Sequence, residues 1–232
     1  MYDNTYVDVP PLPPLPLLPS PPPPGASWTK WAVRGGGGTG RAILNGVVID
    51  SAGSGVAVGT VDSKIAIFGN LSLSHAGNRG MVWKINDSGS TNWAVRGESN
   101  LYDVTVDSND NVIAAGDFSG TEATLGNETL RNAGVMDAVV WKLSPEGTTE
   151  WAVRGGGTKR DSLYGVVVDA SDNVIAGGHF QSTYATFGGK VKKKIGDSAL
   201  VIWKMNSNGT TLWAAEAGGN GVDTMSGVTV DR

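Results

Sequence analysis

Two short runs carry the residues best suited to hold a cation, "DSNDN" at 107–111 and "DASDN" at 169–173. Oxygen-bearing side chains fall at alternate positions in each. They are Asp107, Asn109 and Asn111 in the first and Asp169, Ser171 and Asn173 in the second, the order found in calcium loops. Neither run has the loop glycine or the distal glutamate of an EF-hand. Asp and Asn also build ordinary turns through side chain to backbone bonds, and that reading is the stronger. No metal or other cofactor is therefore expected. Other constellations are weaker still. Each acidic residue belongs to a repeated pattern or stands singly in a loop, so a glycosidase pair is not indicated. His75 and His179 are read as loop residues of different copies without a spaced partner, which leaves a Ser-His-Asp site unsupported. "RGGGGTG" at 34–40 lacks the Lys-Ser/Thr of a phosphate loop and opens no helix. Arg34, Arg96 and Arg154 each follow a tryptophan by three residues. They could meet an anion, but covering apolar surface with their stems is the simpler role. Lys190, Lys192, Lys193 and Lys194 read as a solvated basic loop. Sequons at Asn70, Asn86, Asn127 and Asn208 permit glycosylation on export. The chain is not expected to be an enzyme.

Composition narrows the partners. A formal net charge of −4 disfavours a nucleic-acid partner, which would need phosphate neutralisation. No apolar run is long enough to span a membrane. There is no cysteine, which removes disulfides, thiolate metal sites and cysteine nucleophiles together. The N-terminus has neither a basic start nor an uninterrupted apolar run, so it does not read as a secretion signal.

Residues 1–27 and 28–232 differ in character. Ten of the eleven prolines fall within 10–24, "PPLPPLPLLPSPPPP". Fixed φ angles and missing donors make 1–27 an extended polyproline II linker. A ligand for an aromatic-grooved proline-binding domain is the alternative. Beyond it a refrain sets in. Trp31, Trp93, Trp151 and Trp213 stand 62, 58 and 62 residues apart. Asp50, Asp107, Asp169 and Asp231 end "VxVD"-like runs at intervals of 57, 62 and 62. Trp83, Trp141 and Trp203 keep the same step inside "MVWK", "VVWK" and "VIWK". Three independent markers at one period define an internal repeat.

Each copy holds four short β-branched runs separated by Gly/Asn/Asp/Ser clusters. In the third copy they are "YGVVVD", "VIAGGHF", "ALVIWKM" and "TTLWAAEA". Alternation puts Val201, Trp203 and Met205 on one face of the third run and Ile202 and Lys204 on the other. The stretch "QSTYATFGGKVKKKIGDS" between the second and third runs reads as irregular. Tight turns join the first run to the second and the third to the fourth. A Gly-rich loop leads to the next copy, which is the logic of a propeller blade.

The second copy resembles the SBBP repeat, a β-propeller repeat common in secreted bacterial proteins. The resemblance rests on Asn111, Val112, Gly116 and Phe118, on Ala123-Thr124-Leu125-Gly126, and on Asp137-Ala138, Lys142-Leu143, Gly147 and Trp151-Ala152. The third copy matches through Asn173, Gly178, Phe180, Ala185-Thr186-Phe187-Gly188, Lys204 and Gly209. The first, with "SAGSGVAVGTV", lacks the Asn and the Phe. Ser20 to Pro24 resembles the SPPPP unit of hydroxyproline-rich wall glycoproteins. The resemblance implies a propeller and no particular activity. The expected fold is all-β, a partial β-propeller. Three complete four-stranded antiparallel blades lie at roughly 45–97, 102–155 and 164–217. One extra strand stands at each end, at 28–36 and 225–231. Closed propellers have four to eight blades. Missing blades from a parent chain or another chain are therefore expected to complete this one. The functional expectation is non-catalytic binding or scaffolding of a protein or glycan outside the cell. The alternative is a piece of a propeller enzyme, for example a glycan-active one, whose catalytic residues lie elsewhere. A non-repeating polar cluster at equivalent channel-side positions would mark a site, and none is evident in the sequence.

Overall fold

The computed structural model describes residues 32–37, 40–74 and 79–231. Trp31, His75 and the linker at 1–27 lie outside them. Nineteen strands and no helix make up the described chain. They are β1 (Gly35–Gly37), β2 (Ala42–Ile49), β3 (Gly55–Val61), β4 (Ile65–Phe68), β5 (Leu71–Ser74), β6 (Arg79–Ile85) and β7 (Thr91–Gly97). Then come β8 (Asn100–Val106), β9 (Val112–Ser119), β10 (Glu122–Leu125), β11 (Glu128–Arg131), β12 (Met136–Leu143) and β13 (Thr149–Gly157). The last unit has β14 (Asp161–Val168), β15 (Val174–Phe180), β16 (Tyr184–Phe187), β17 (Lys190–Lys193), β18 (Ala199–Met205) and β19 (Thr211–Ala217).

Every pair of named strands is antiparallel, and the pairing corrects the four-stranded unit. The sheets run β1-β4-β5, then β2-β3-β6-β7-β10-β11, β8-β9-β12-β13-β16-β17 and β14-β15-β18-β19. The stretch expected to be irregular is a hairpin, and it pairs with the outer strand of the preceding unit. Phe187, Thr186 and Ala185 of β16 oppose Gly155, Gly156 and Gly157 of β13. Leu125 of β10 opposes Gly97 of β7. The physical reason is local. Ala123 and Leu125, like Ala185 and Phe187, are buried at alternate positions and need a covered surface. The preceding outer strand has an unpaired edge and offers glycine beneath the large side chain. A Cβ at Gly155 would overlap the Phe187 ring, and one at Gly97 the Leu125 side chain.

The end strands also differ from expectation. At the N-terminal end, among the described residues, Gly35–Gly37 is the strand. Residues 225–231 form no strand. They nonetheless pack where a further first strand would lie, with Gly227 and Val228 against Gly165 and Met225 against Gly177.

The units stack in series. Leu101 and Val104 of β8 bury against Val56, Val58 and Val82 of the preceding unit. Leu163 and Val166 of β14 do the same against Ile113, Ala115 and Val140. The alternation expected on β18 is present, with Val201, Trp203 and Met205 buried and Ile202 and Lys204 half-buried. Among the described residues no unit precedes the corresponding positions of β2. Leu44, Val47 and Ile49 are 58%, 72% and 61% exposed.

Candidate functional site

The repeat markers converge on a joint between units. Asp107 Oδ1 accepts bonds from the amides of Asn109 and Asn111, both at 3.0 Å. Its Oδ2 lies 2.9 Å from Lys142 Nζ and 2.9 Å from Asn111 Nδ2. Lys142 also donates to the Ser207 carbonyl of the next unit at 3.2 Å, and Trp151 Nε1 donates to the same oxygen at 3.0 Å. One unit earlier, Asp50 pairs with Lys84 at 2.9 Å, and Lys84 and Trp93 both donate to the Pro145 carbonyl. Backbone at positive φ brings Gly147 and Gly209 against these indoles. A Cβ at Gly147 would lie 2.7 Å from Trp93. Beside each joint a serine donates to an aspartate of the following turn, Ser51 to Asp110 and Ser108 to Asp172.

Burial alone would raise the Asp107 carboxyl. Lys142, Asn111 and the amides of Asn111 and Asn109 outweigh it and hold the group below its ordinary range. In the third unit Asp169 bonds the amides of Ser171 and Asn173 and pairs with Lys204 at 2.6 Å. Lys204, then Asn173, hold the Asp169 carboxyl low as well. The runs weighed for calcium are thus Asx-type turns, each with a lysine ammonium against its aspartate. Among the described residues no group of three or more His, Asp or Glu is arranged to hold a metal.

Trp83, Trp141 and Trp203 lie inside their units. Each donates to the threonine that opens the adjacent strand, Thr91, Thr149 or Thr211, at 2.8–3.0 Å. Trp213, whose next-unit carbonyl has no counterpart among the described residues, is 43% exposed, and Asp231 is exposed. The arginines have other work than stem packing. Arg154 pairs with buried Asp137 at 2.6 Å, and Arg96 donates to the Ser63 carbonyl at 3.1 Å. Arg34 is exposed. The basic loop is strand β17 in part, and Lys192 pairs with Glu216 of β19 at 2.9 Å.

A second constellation was not found from the sequence. The register of each first strand shifts by one residue, between Leu44 and Gly46, Leu101 and Asp103, and Leu163 and Gly165. The extra residues are Asn45, Tyr102 and Tyr164, and Ser226 stands one period after Tyr164. A bulge leaves its extra residue unpaired and re-aims the side chain. These four line one groove of about 440 Å³, together with His179, Thr224 and Met225. The Tyr102 and Tyr164 rings stack at 4.9 Å between centroids, and Tyr164 stacks on His179 at 5.3 Å. His179 lies on β15, not in a loop.

Buried Asp117 holds this row from behind. It accepts from Asn100 Nδ2 at 2.8 Å, Tyr102 Oη at 3.0 Å and Ser162 Oγ at 2.8 Å. Burial pushes its carboxyl up against the pull of those bonds. Burial, then the Asp117 charge, also raises the Tyr102 phenol. Burial lowers the His179 imidazole, with Asp161 and Asp117 opposing. Thr60, Asp117 and His179 occupy one repeat position, opposite Ile43, Asn100 and Ser162. The framework repeats while the residues at this row change. That difference was the only trace in the sequence, and it is hidden until the bulge is known. No family model matches the chain, and no curated protein is significantly similar to it.

Proposed function

We propose that the units are blades of a β-propeller of the SBBP-like kind and that the chain is a non-catalytic binding or scaffolding module acting outside the cell. Serial stacking of the units and the inter-unit joints support the propeller, with further blades, from a parent chain or another chain, covering the Leu44 face. One observation carries the binding reading. The joints keep the same residues in copy after copy, whereas the bulge positions hold Asn45, Tyr102, Tyr164 and Ser226 and together line a groove. Repetition serves packing, and variation at an accessible, pre-shaped groove serves recognition. The ligand is a protein segment or a glycan. Paired glycan and peptide arrays test this. Retention of one ligand, lost in Asn45→Ala, is the expected result. Equal retention by the variant, or turnover of a retained glycan, overturns it.

A further inference from the structure

The groove has a definite chemical character. Its lining carries amide, hydroxyl, thioether and aromatic groups and no Asp, Glu, Lys or Arg. Half-buried Asp103, next to Tyr102, accepts the Val166 amide at 2.9 Å, and Asp117 lies behind the row. That group is 1% exposed, shielded by the donors bonded to it. A phosphate or carboxylate would find no lysine or arginine among the lining residues, and an ammonium no carboxylate among them. A cation also needs the open face of a ring. Here Tyr164 is stacked against both Tyr102 and His179. The groove offers a stacked aromatic wall, the Met225 thioether and a few fixed polar atoms. Asn45 is the best defined of these. Its Nδ2 donates to the Leu101 carbonyl at 2.7 Å, which orients the amide and leaves Oδ1 to accept. Thr224 and Ser226 supply hydroxyls to the same groove. The volume falls in the lower part of the roughly 300–1,000 Å³ usual for small-molecule sites.

We infer that this groove binds a neutral saccharide. The sugar's C–H faces lie against the aromatic wall of Tyr102, Tyr164 and His179 and against Met225, and its hydroxyls bond Asn45 Oδ1, Thr224 and Ser226. The inference rests on the binding reading above and narrows it to one ligand class. The bulges make the site pre-organised, because the strand ladder on either side fixes each backbone from which a contact group projects.

The test uses the whole chain and four probes, methyl β-glucoside, methyl β-galactoside, methyl α-mannoside and N-acetylglucosamine. Inorganic phosphate and choline serve as charged controls. Saturation-transfer NMR reports binding, and the ring signals of Tyr164 and His179 report its place. At least one sugar is expected to bind saturably and move both signals. Asn45→Ala should weaken it about tenfold, the scale of one hydrogen bond. Tyr164→Phe, which keeps the stack, should still bind, and its retained ring signals would show that the fold is intact. Lys190→Ala, on distant β17, should change nothing. No sugar moving those signals, or phosphate or choline moving them instead, overturns the inference. A peptide that moves them while sugars do not overturns the saccharide and preserves the binding reading. Silence from sugars and from both arrays defeats the two together.

Discussion

At the scale of single residues, the Asp–Lys joint explains why the same letters return. A buried ion pair stabilises little by itself, because desolvation offsets attraction, but breaking one side strands a charge. The side chains of Lys142 and Asp107 are 5% and 2% exposed, whereas those of Lys204 and Asp169 are both 21% exposed. Lys142→Met should therefore cost about 3–5 kcal/mol in urea denaturation. Lys204→Met, at a wetter pair, should cost no more than about 1 kcal/mol. Removing both partners, Asp107→Leu with Lys142→Met, should recover most of the larger loss. The same groups set a pH dependence. Asp50, Asp107 and Asp169 have carboxyls held below the ordinary value in the folded chain. Their contribution is present above the unfolded value, about pH 4, and is lost as pH falls below it. Asp117 works the other way. Its raised carboxyl stabilises the fold at pH below the unfolded value and loses that contribution as pH rises through the folded one. Denaturation midpoints followed from pH 7 downward should drop in the acid range. Asp117→Asn should leave that acid limb in place, because the limb belongs to the joints.

At the scale of elements, the exchanged hairpin ties each unit to its predecessor. Its anchor is the glycine under a large side chain. Gly155→Ala should cost about 1–3 kcal/mol by overpacking Phe187. In a Phe187→Ala background the same change should be nearly free, and a double-mutant cycle measures the difference. Equal costs in both backgrounds would mean that the hairpin does not seat on β13. These hairpins show where sequence reasoning stops. The four runs of each unit were legible because β-branched residues alternate over seven or eight positions. "YATF" alternates over only four, and its partner strand belongs to the previous unit, so no local pattern announces it. The bulges were hidden for a related reason. One extra residue leaves the apolar alternation on either side intact, and only the register between strands reveals that Asn45, Tyr102 and Tyr164 stand outside it. The joint was half legible. Trp93, Trp151 and the aspartates stood out by spacing, but the carbonyls to which the tryptophans and lysines donate lie in the next copy.

At the scale of the molecule, the units behave as a stack in which each apolar face needs a neighbour, so equal residues should have unequal worth according to position. Leu101 and Leu163 are fully buried against preceding units, and their equivalent Leu44 is 58% exposed on the first. Leu101→Ala and Leu163→Ala should each cost about 2–5 kcal/mol, the range for large-to-small changes in a packed core. Leu44→Ala should stay within about 0.5 kcal/mol, as at an open surface. The comparison is read from urea midpoints at two protein concentrations tenfold apart. A small, concentration-independent cost at Leu44 means that the face stands open in the isolated chain, ready for the blade that the propeller reading requires. A cost at Leu44 approaching that at Leu101, and rising with protein concentration, would mean that another copy already covers it. A large cost independent of concentration would place a segment of the same chain on that face. The serial order would then close on itself without further blades, against the propeller assembly proposed above.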